Sequence, residues 1–168
     1  MRRAISSVLA LLVAGCSVGF AGGGFPPGVH TVAILPFDNQ TTEPTLAQQV
    51  NLAVKQALVS RLGLRAAAEG QADAVVHGTI TRYDPDEPAA YHGQPGATGT
   101  PNQVVVTRRQ VEIYVDLDVV NQHTGNPIIS LKGVQVIGDY DPGQVEAGKT
   151  KALGLLVDRL VTEAHSKW

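Results

Sequence analysis

One side chain stands apart as a candidate for covalent chemistry. Cys16 is the only cysteine in the 168 residues, and it follows Val13-Ala14-Gly15. An aliphatic residue and two small ones before a cysteine form the bacterial lipobox, where a peptidase cuts ahead of the cysteine and the thiol carries diacylglycerol. The preceding residues fit an export leader, with Arg2 and Arg3 as a cationic start and Ala4 to Val13 as an apolar run broken only by Ser6 and Ser7. That run is about ten residues, roughly half of the ~20 that a membrane-crossing helix needs, so residues 1–15 are expected to be removed. Anchoring would then fall to the lipid, since two or three acyl chains at about 0.8 kcal/mol per buried CH₂ hold a protein stably. Ser17, where an aspartate would retain an enterobacterial lipoprotein in the inner membrane, resembles the class sorted to the periplasmic face of the outer membrane. With no second cysteine there is no internal disulfide, and the fold must rest on its core.

Other reactive patterns are weaker. Gly15-Cys16-Ser17-Val18-Gly19 satisfies a G-x-S-x-G string, but a nucleophile elbow needs a strand before it and a helix after it, and leader cleavage would split this one. His30, His77, His92, His123 and His165 are scattered, with no i, i+4 pair to hold a metal. Asp116 and Asp118 would lie about 7 Å apart on one face of a strand, a spacing two glycosidase carboxylates could use. Glu112 and Tyr114 share that face, however, which reads as the solvated side of a sheet. Asp84-Pro85-Asp86-Glu87 lacks the loop glycine of a calcium site. No catalytic set, metal or other cofactor is expected, and the chain reads as a non-enzyme. Loss of Arg2 and Arg3 leaves 11 basic residues against 15 acidic ones, a balance of −4 that does not suit nucleic acid.

The elements that would carry these residues follow from periodicity. Residues 16–28 hold Gly19, Gly22, Gly23, Gly24, Pro26, Pro27 and Gly28 and read as a lipidated flexible tether. A single domain is expected over 29–168. Val29 to Leu35 is a short strand stopped by Pro36, with a loop over residues 37–42. Leu46, Val50, Ala53, Val54, Ala57, Leu58 and Leu62 recur at three and four, the stripe of an amphipathic helix ended by Gly63. Leu64 to Ala68 reads as a short strand. Ala74 to Tyr83 alternates with period two, and Val104 to Val120 more clearly so: Val111, Ile113, Val115, Leu117 and Val119 face one way, Glu112, Tyr114, Asp116 and Asp118 the other. Residues 121–127 are turn chemistry, Ile128 to Ile137 returns as a partner strand, and Val145 to Ala164 forms a closing helix. One apolar stripe per helix and one apolar face per strand are buried most simply in an α+β two-layer sandwich: two helices packed on a mostly antiparallel sheet of about four strands. Asp84 to Asn102, rich in proline and glycine, reads as a nineteen-residue loop whose composition favours disorder unless a partner orders it.

The segments Val32-Ala33-Ile34-Leu35-Pro36-Phe37-Asp38-Asn39 and Ala72-Asp73-Ala74-Val75-Val76-His77-Gly78, the long strand through Val120, Thr124-Gly125 and Gly138-Asp139-Tyr140 together resemble the LptE family of lipopolysaccharide-assembly lipoproteins. The resemblance runs from about Val29 to the C-terminus. It implies a two-helix, four-stranded α+β domain that docks inside the outer-membrane β-barrel LptD, stabilises it and helps deliver lipopolysaccharide. Contact with the phosphates and carboxylates of that glycolipid would call for Arg or Lys, and Arg108-Arg109 is the only adjacent basic pair after the leader. Strand neighbours face opposite ways, so one of the two would serve. The other class of function is a lipoprotein scaffold or activator of another envelope machine, such as a peptidoglycan synthase or secretion complex. Mass spectrometry of the native protein should find the chain beginning at an acylated Cys16, and Cys16→Ser should leave the leader uncut. An intact leader or a free thiol in the native protein would remove the anchor from this reading.

Overall fold

The computed structural model describes residues 25–93 and 104–167; the leader, Cys16 and most of the tether lie outside them. The chain runs β1 (Thr31–Ile34), β2 (Asp38–Asn39), α1 (Leu46–Gln56), a π-wound turn over Ala57–Arg61, β3 (Arg65–Ala66), a 3₁₀ turn, β4 (Ala74–Gly93), β5 (Val104–Asn121), β6 (Pro127–Tyr140) and α2 (Val145–Ser166). Gly63 at φ +72 closes the first helical segment, a left-handed position that glycine takes without strain.

The two helices lie on one face of a single sheet, as the stripes require. The expectation of about four mostly antiparallel strands needs correction, because the sheet has six strands and is mixed, in the order β3-β1-β4-β5-β6 with β2 also on β4. β4, β5 and β6 pair antiparallel, whereas β1 is parallel to both β3 and β4, and β2 is parallel to β4. The cause lies in the connection. After β1 the chain returns through α1, and a crossover of that kind delivers the next strand in the same direction. The expected loop over residues 37–42 includes β2, whose Asp38 and Asn39 pair with Thr79 and Ile80.

A second correction concerns residues 84–102. Asp84 to Gly93 extends β4 in register with Val104 to Glu112 of β5, so about half of the expected loop is a two-stranded arm. Its prolines fit because β1 and β2 pair with β4 only as far as Ile80, which leaves an edge that needs no N–H donor. Bulges between Asp84 and Glu87 and between Pro88 and Ala90 absorb the residues that would break a regular ladder. Residues 94–103 lie outside the described residues.

The main core joins Leu46, Val50, Val54 and Leu58 of the first helical segment, Ala152, Leu156 and Leu160 of α2, and the inward rows of β4, β5 and β6. Phe25 and Val29, expected at the end of the tether and the start of the domain, also pack on it. Two glycines set how closely α2 approaches the sheet: a Cβ on Gly138 would stand 1.9 Å from the Gly148 carbonyl oxygen, and one on Gly148 would meet the Tyr140 ring at 2.5 Å. Either substitution would force the start of α2 away from β6.

Asp73 ties the start of β1 to the β5–β6 turn. One carboxylate oxygen accepts the His30 N–H (2.9 Å), the Thr31 N–H (2.9 Å) and the Thr31 hydroxyl (2.7 Å), and the other meets His123 Nε2 at 3.2 Å. The His30 amide first, then the Thr31 hydroxyl and His123, hold the carboxyl well below the ordinary aspartate range. A depressed folded-state pKa contributes stability above the unfolded value of about 4, and that contribution is withdrawn as pH falls below it. Asp73→Asn should therefore flatten the acid limb of the stability–pH profile below about pH 4 and cost about 2 kcal/mol at neutral pH, read by denaturant titration. An unchanged acid limb would show that other carboxylates set it.

Candidate interaction face

With both helices on one side, the other face of the β4–β5–β6 sheet is left open, and alternation sends a polar row onto it. On β5 the row is Glu112, Tyr114, Asp116 and Asp118, each half-buried between neighbouring strands. Register places His77 opposite Asp118 and Thr79 opposite Asp116 on one side, with Ser130 and Gln135 opposite Asp118 and Tyr114 on the other.

These side chains form a cross-linked layer. Asp118 accepts from Ser130 Oγ (2.6 Å) and Lys132 Nζ (2.5 Å), with His77 Nε2 at 3.6 Å. Burial alone would push its carboxyl up, but the bonds from Lys132 and Ser130 outweigh it and hold the group below the ordinary range. Asp116 accepts the Gly133 N–H at 2.6 Å, which pins a bulge where Lys132 and Gly133 stand opposite one residue of β5 and Gly133 takes φ +58. Glu112 accepts from Gln110 (2.8 Å), Gln135 (2.9 Å) and the Tyr114 hydroxyl (3.1 Å). Arg82 stacks 5.4 Å from the Tyr114 ring centroid and pairs with Asp84. Asp116 and Asp118, weighed above as a carboxylate pair, are thus committed to holding β6 on β5. Asp118, held below the ordinary carboxylate range, is the reverse of the raised group that a general acid needs.

Where the arm leaves the sheet, buried Tyr140 reaches its hydroxyl to the Pro85 carbonyl oxygen (2.6 Å) and lies 3.0 Å from Asp86 Oδ1. Burial first, then the Asp86 carboxylate, pushes its phenol pKa up, so it remains a donor. Arg109 pairs with the same Asp86. Arg108 is exposed on the opposite side of the strand, so the two candidate arginines separate as strand geometry requires.

Lys149 was missed by the sequence reading. Its side chain is only 5% exposed, with Nζ 2.9 Å from Glu146 and 5.7 Å from the Tyr83 ring centroid. Burial pulls its pKa down, but the bond to Glu146 and the field of neighbouring groups raise it overall, so the amine stays charged. The available signal was its place in the stripe of Val145, Ala152 and Leu156, with an acidic residue three positions before it.

The LptE family model, described as lipopolysaccharide-assembly, matches residues 29–164. No curated protein matches in sequence. Among solved structures, protein XCC0632 from Xanthomonas campestris superposes with a TM-score of 0.53 at 8% identity, covering 84% of this chain and 88% of that one. Lipoprotein GNA1162 from Neisseria meningitidis gives a TM-score of 0.44 at 13% identity, covering 81% and 98%. The first likeness concerns the fold alone.

Tyr140→Phe removes the hydroxyl that ties β6 to the arm while keeping the ring against Gly148. Amide exchange at Asp86, Glu87, Ala89 and Ala90 should quicken about fivefold, corresponding to about 1 kcal/mol, with little change elsewhere. A uniform change across the domain would assign Tyr140 to global stability instead.

Proposed function

The chain belongs to the LptE family of lipopolysaccharide-assembly proteins, and from that premise we propose that it is an outer-membrane lipoprotein, acylated at Cys16, that plugs and stabilises the LptD β-barrel during lipopolysaccharide transport. The observation that carries this reading is the open sheet face, whose acids and amides are linked to one another instead of forming an apolar patch. A barrel lumen is polar, and a body seated in it should offer hydrogen-bonding groups already held in place. Among the described residues no helix is long and apolar enough to cross a membrane, which fits attachment through a lipid.

In this setting the residues act as binding groups. Glu112, Asp116 and Asp118 keep a fixed geometry because Gln135, Gly133 and Lys132 hold them, so a partner's donors would meet acceptors that need little reordering. The Tyr140–Asp86–Arg109 cluster fixes the base of the arm. Arg108, exposed on that arm, is the better placed of the two candidate arginines for a lipopolysaccharide phosphate, because Arg109 is occupied by Asp86.

A tagged chain purified from outer membranes should bring a large β-barrel with it in near-equal amount. Recovery of only soluble or inner-membrane enzymes, such as a peptidoglycan synthase, would overturn the barrel reading and favour the scaffold of another envelope machine.

A further inference from the structure

β6 ends the sheet, and among the described residues no strand pairs with its outer edge. The bulge at Lys132-Gly133 interrupts that edge at one end. At the other end the start of α2 covers it, where Gly138 meets Gly148 and Lys151 Nζ bonds the Asp139 carbonyl oxygen at 2.8 Å. Between these limits lie Val134 to Ile137, four residues with no charged side chain. They form one wall of a groove of about 450 Å³ whose other wall is Leu155 and Arg159 of α2. A second depression sharing Ile137 and Leu155 continues it toward Lys151. Among the described residues, two of the three large exposed hydrophobic residues border these depressions: Leu155, 49% exposed, and Ile137, 36% exposed, which stands opposite Glu112 in the open-face row.

The spacing along the helix wall matches a strand. Leu155 and Arg159 are four residues apart on α2, a rise of about 6 Å, and residues i and i+2 of a strand project to the same face about 6.7 Å apart. Arg159 forms no ion pair among the described residues, whereas nearby Asp158 is taken by Arg61 and Lys132 by Asp118. We propose that the outer edge of β6 receives a short extended segment of a partner protein, which adds a strand along Val134–Ile137 and places an apolar side chain on Leu155 and, two residues away, a carboxylate on Arg159. Backbone bonds to the edge would supply affinity and the two side chains specificity, the division of labour in strand addition. A second copy of this chain is the poorer occupant. Its own helix-facing row on β6, Val134, Val136 and Gly138, offers no carboxylate to Arg159. The inference does not depend on which envelope machine the protein serves.

The test uses the full chain, ¹⁵N-labelled in mild detergent, and three blocked seven-residue peptides. One alternates threonine with a valine–glutamate–valine row, the second carries lysine for glutamate, and the third is the first with alternate amides N-methylated. The first should shift and protect the amides of Val134 to Ile137, the lysine peptide should bind at least about fivefold more weakly, and N-methylation should abolish binding. Arg159→Glu, at an exposed position, should reverse the preference between glutamate and lysine. Equal binding of the charged peptides, retained binding of the N-methylated one, or no response at Val134 to Ile137 would each overturn the proposal. Concentration-dependent protection of the edge without peptide would overturn it in favour of a second copy.

Discussion

Val111, Ile113, Val115, Leu117 and Val119 on β5 are fully buried, and the other elements are placed by what they add to that row. Each such side chain contributes about 1.5–3 kcal/mol when taken from water, so the five together rival the net stability of a small domain. The row can be buried from one side only, by two helices whose stripes meet it. Residues of the opposite parity are thereby committed to the open face. The apolar half of the alternation makes the core, and the polar half, with no further choice of geometry, makes the surface on which the functional reading rests.

That dependence explains what could be read from the sequence. The long strand through Val120, the two helical stripes and the turn around Thr124-Gly125 are regular over many residues, and all of them stand. What escaped has little periodicity. Asp38–Asn39 is two residues long, too short to alternate, and its parallel pairing, like that of Arg65–Ala66 within the expected short strand, follows from the crossover rather than from the side chains. Pro85 and Pro88 signal a break in most strands, yet here they stand beyond the reach of β1 and β2, among bulges, where their missing N–H groups cost nothing. Lys149 was hidden by its type, because a lysine in an apolar stripe reads as exposed until Glu146 and Tyr83 are seen beside it.

The site was legible in outline and not in detail. Alternation put Glu112, Tyr114, Asp116 and Asp118 on one face, and that is where they lie. A solvated acidic face and a cross-linked one differ in their partners, however, and Ser130, Lys132, Gly133 and Gln135 come from another strand, in a register set by a bulge. The bulge has no signature beyond a glycine. The proposed acylation at Cys16 is the opposite case, since the signal that suggests it is written in four consecutive residues and needs no fold.

A face whose acids are already satisfied also constrains how it can bind. Burying an unpaired carboxylate would cost several kcal/mol, but Asp118 carries its lysine and serine with it, and Asp116 its backbone amide. A partner can therefore cover the face without first supplying a counter-charge for each acid. In exchange, each new contact gains little, because the strongest acceptors are partly used. Such a surface favours broad, shape-determined enclosure over a few strong anchors, with orientation fixed by polar complementarity. A lumen that surrounds the domain provides that enclosure, and a flat partner touching one edge does not.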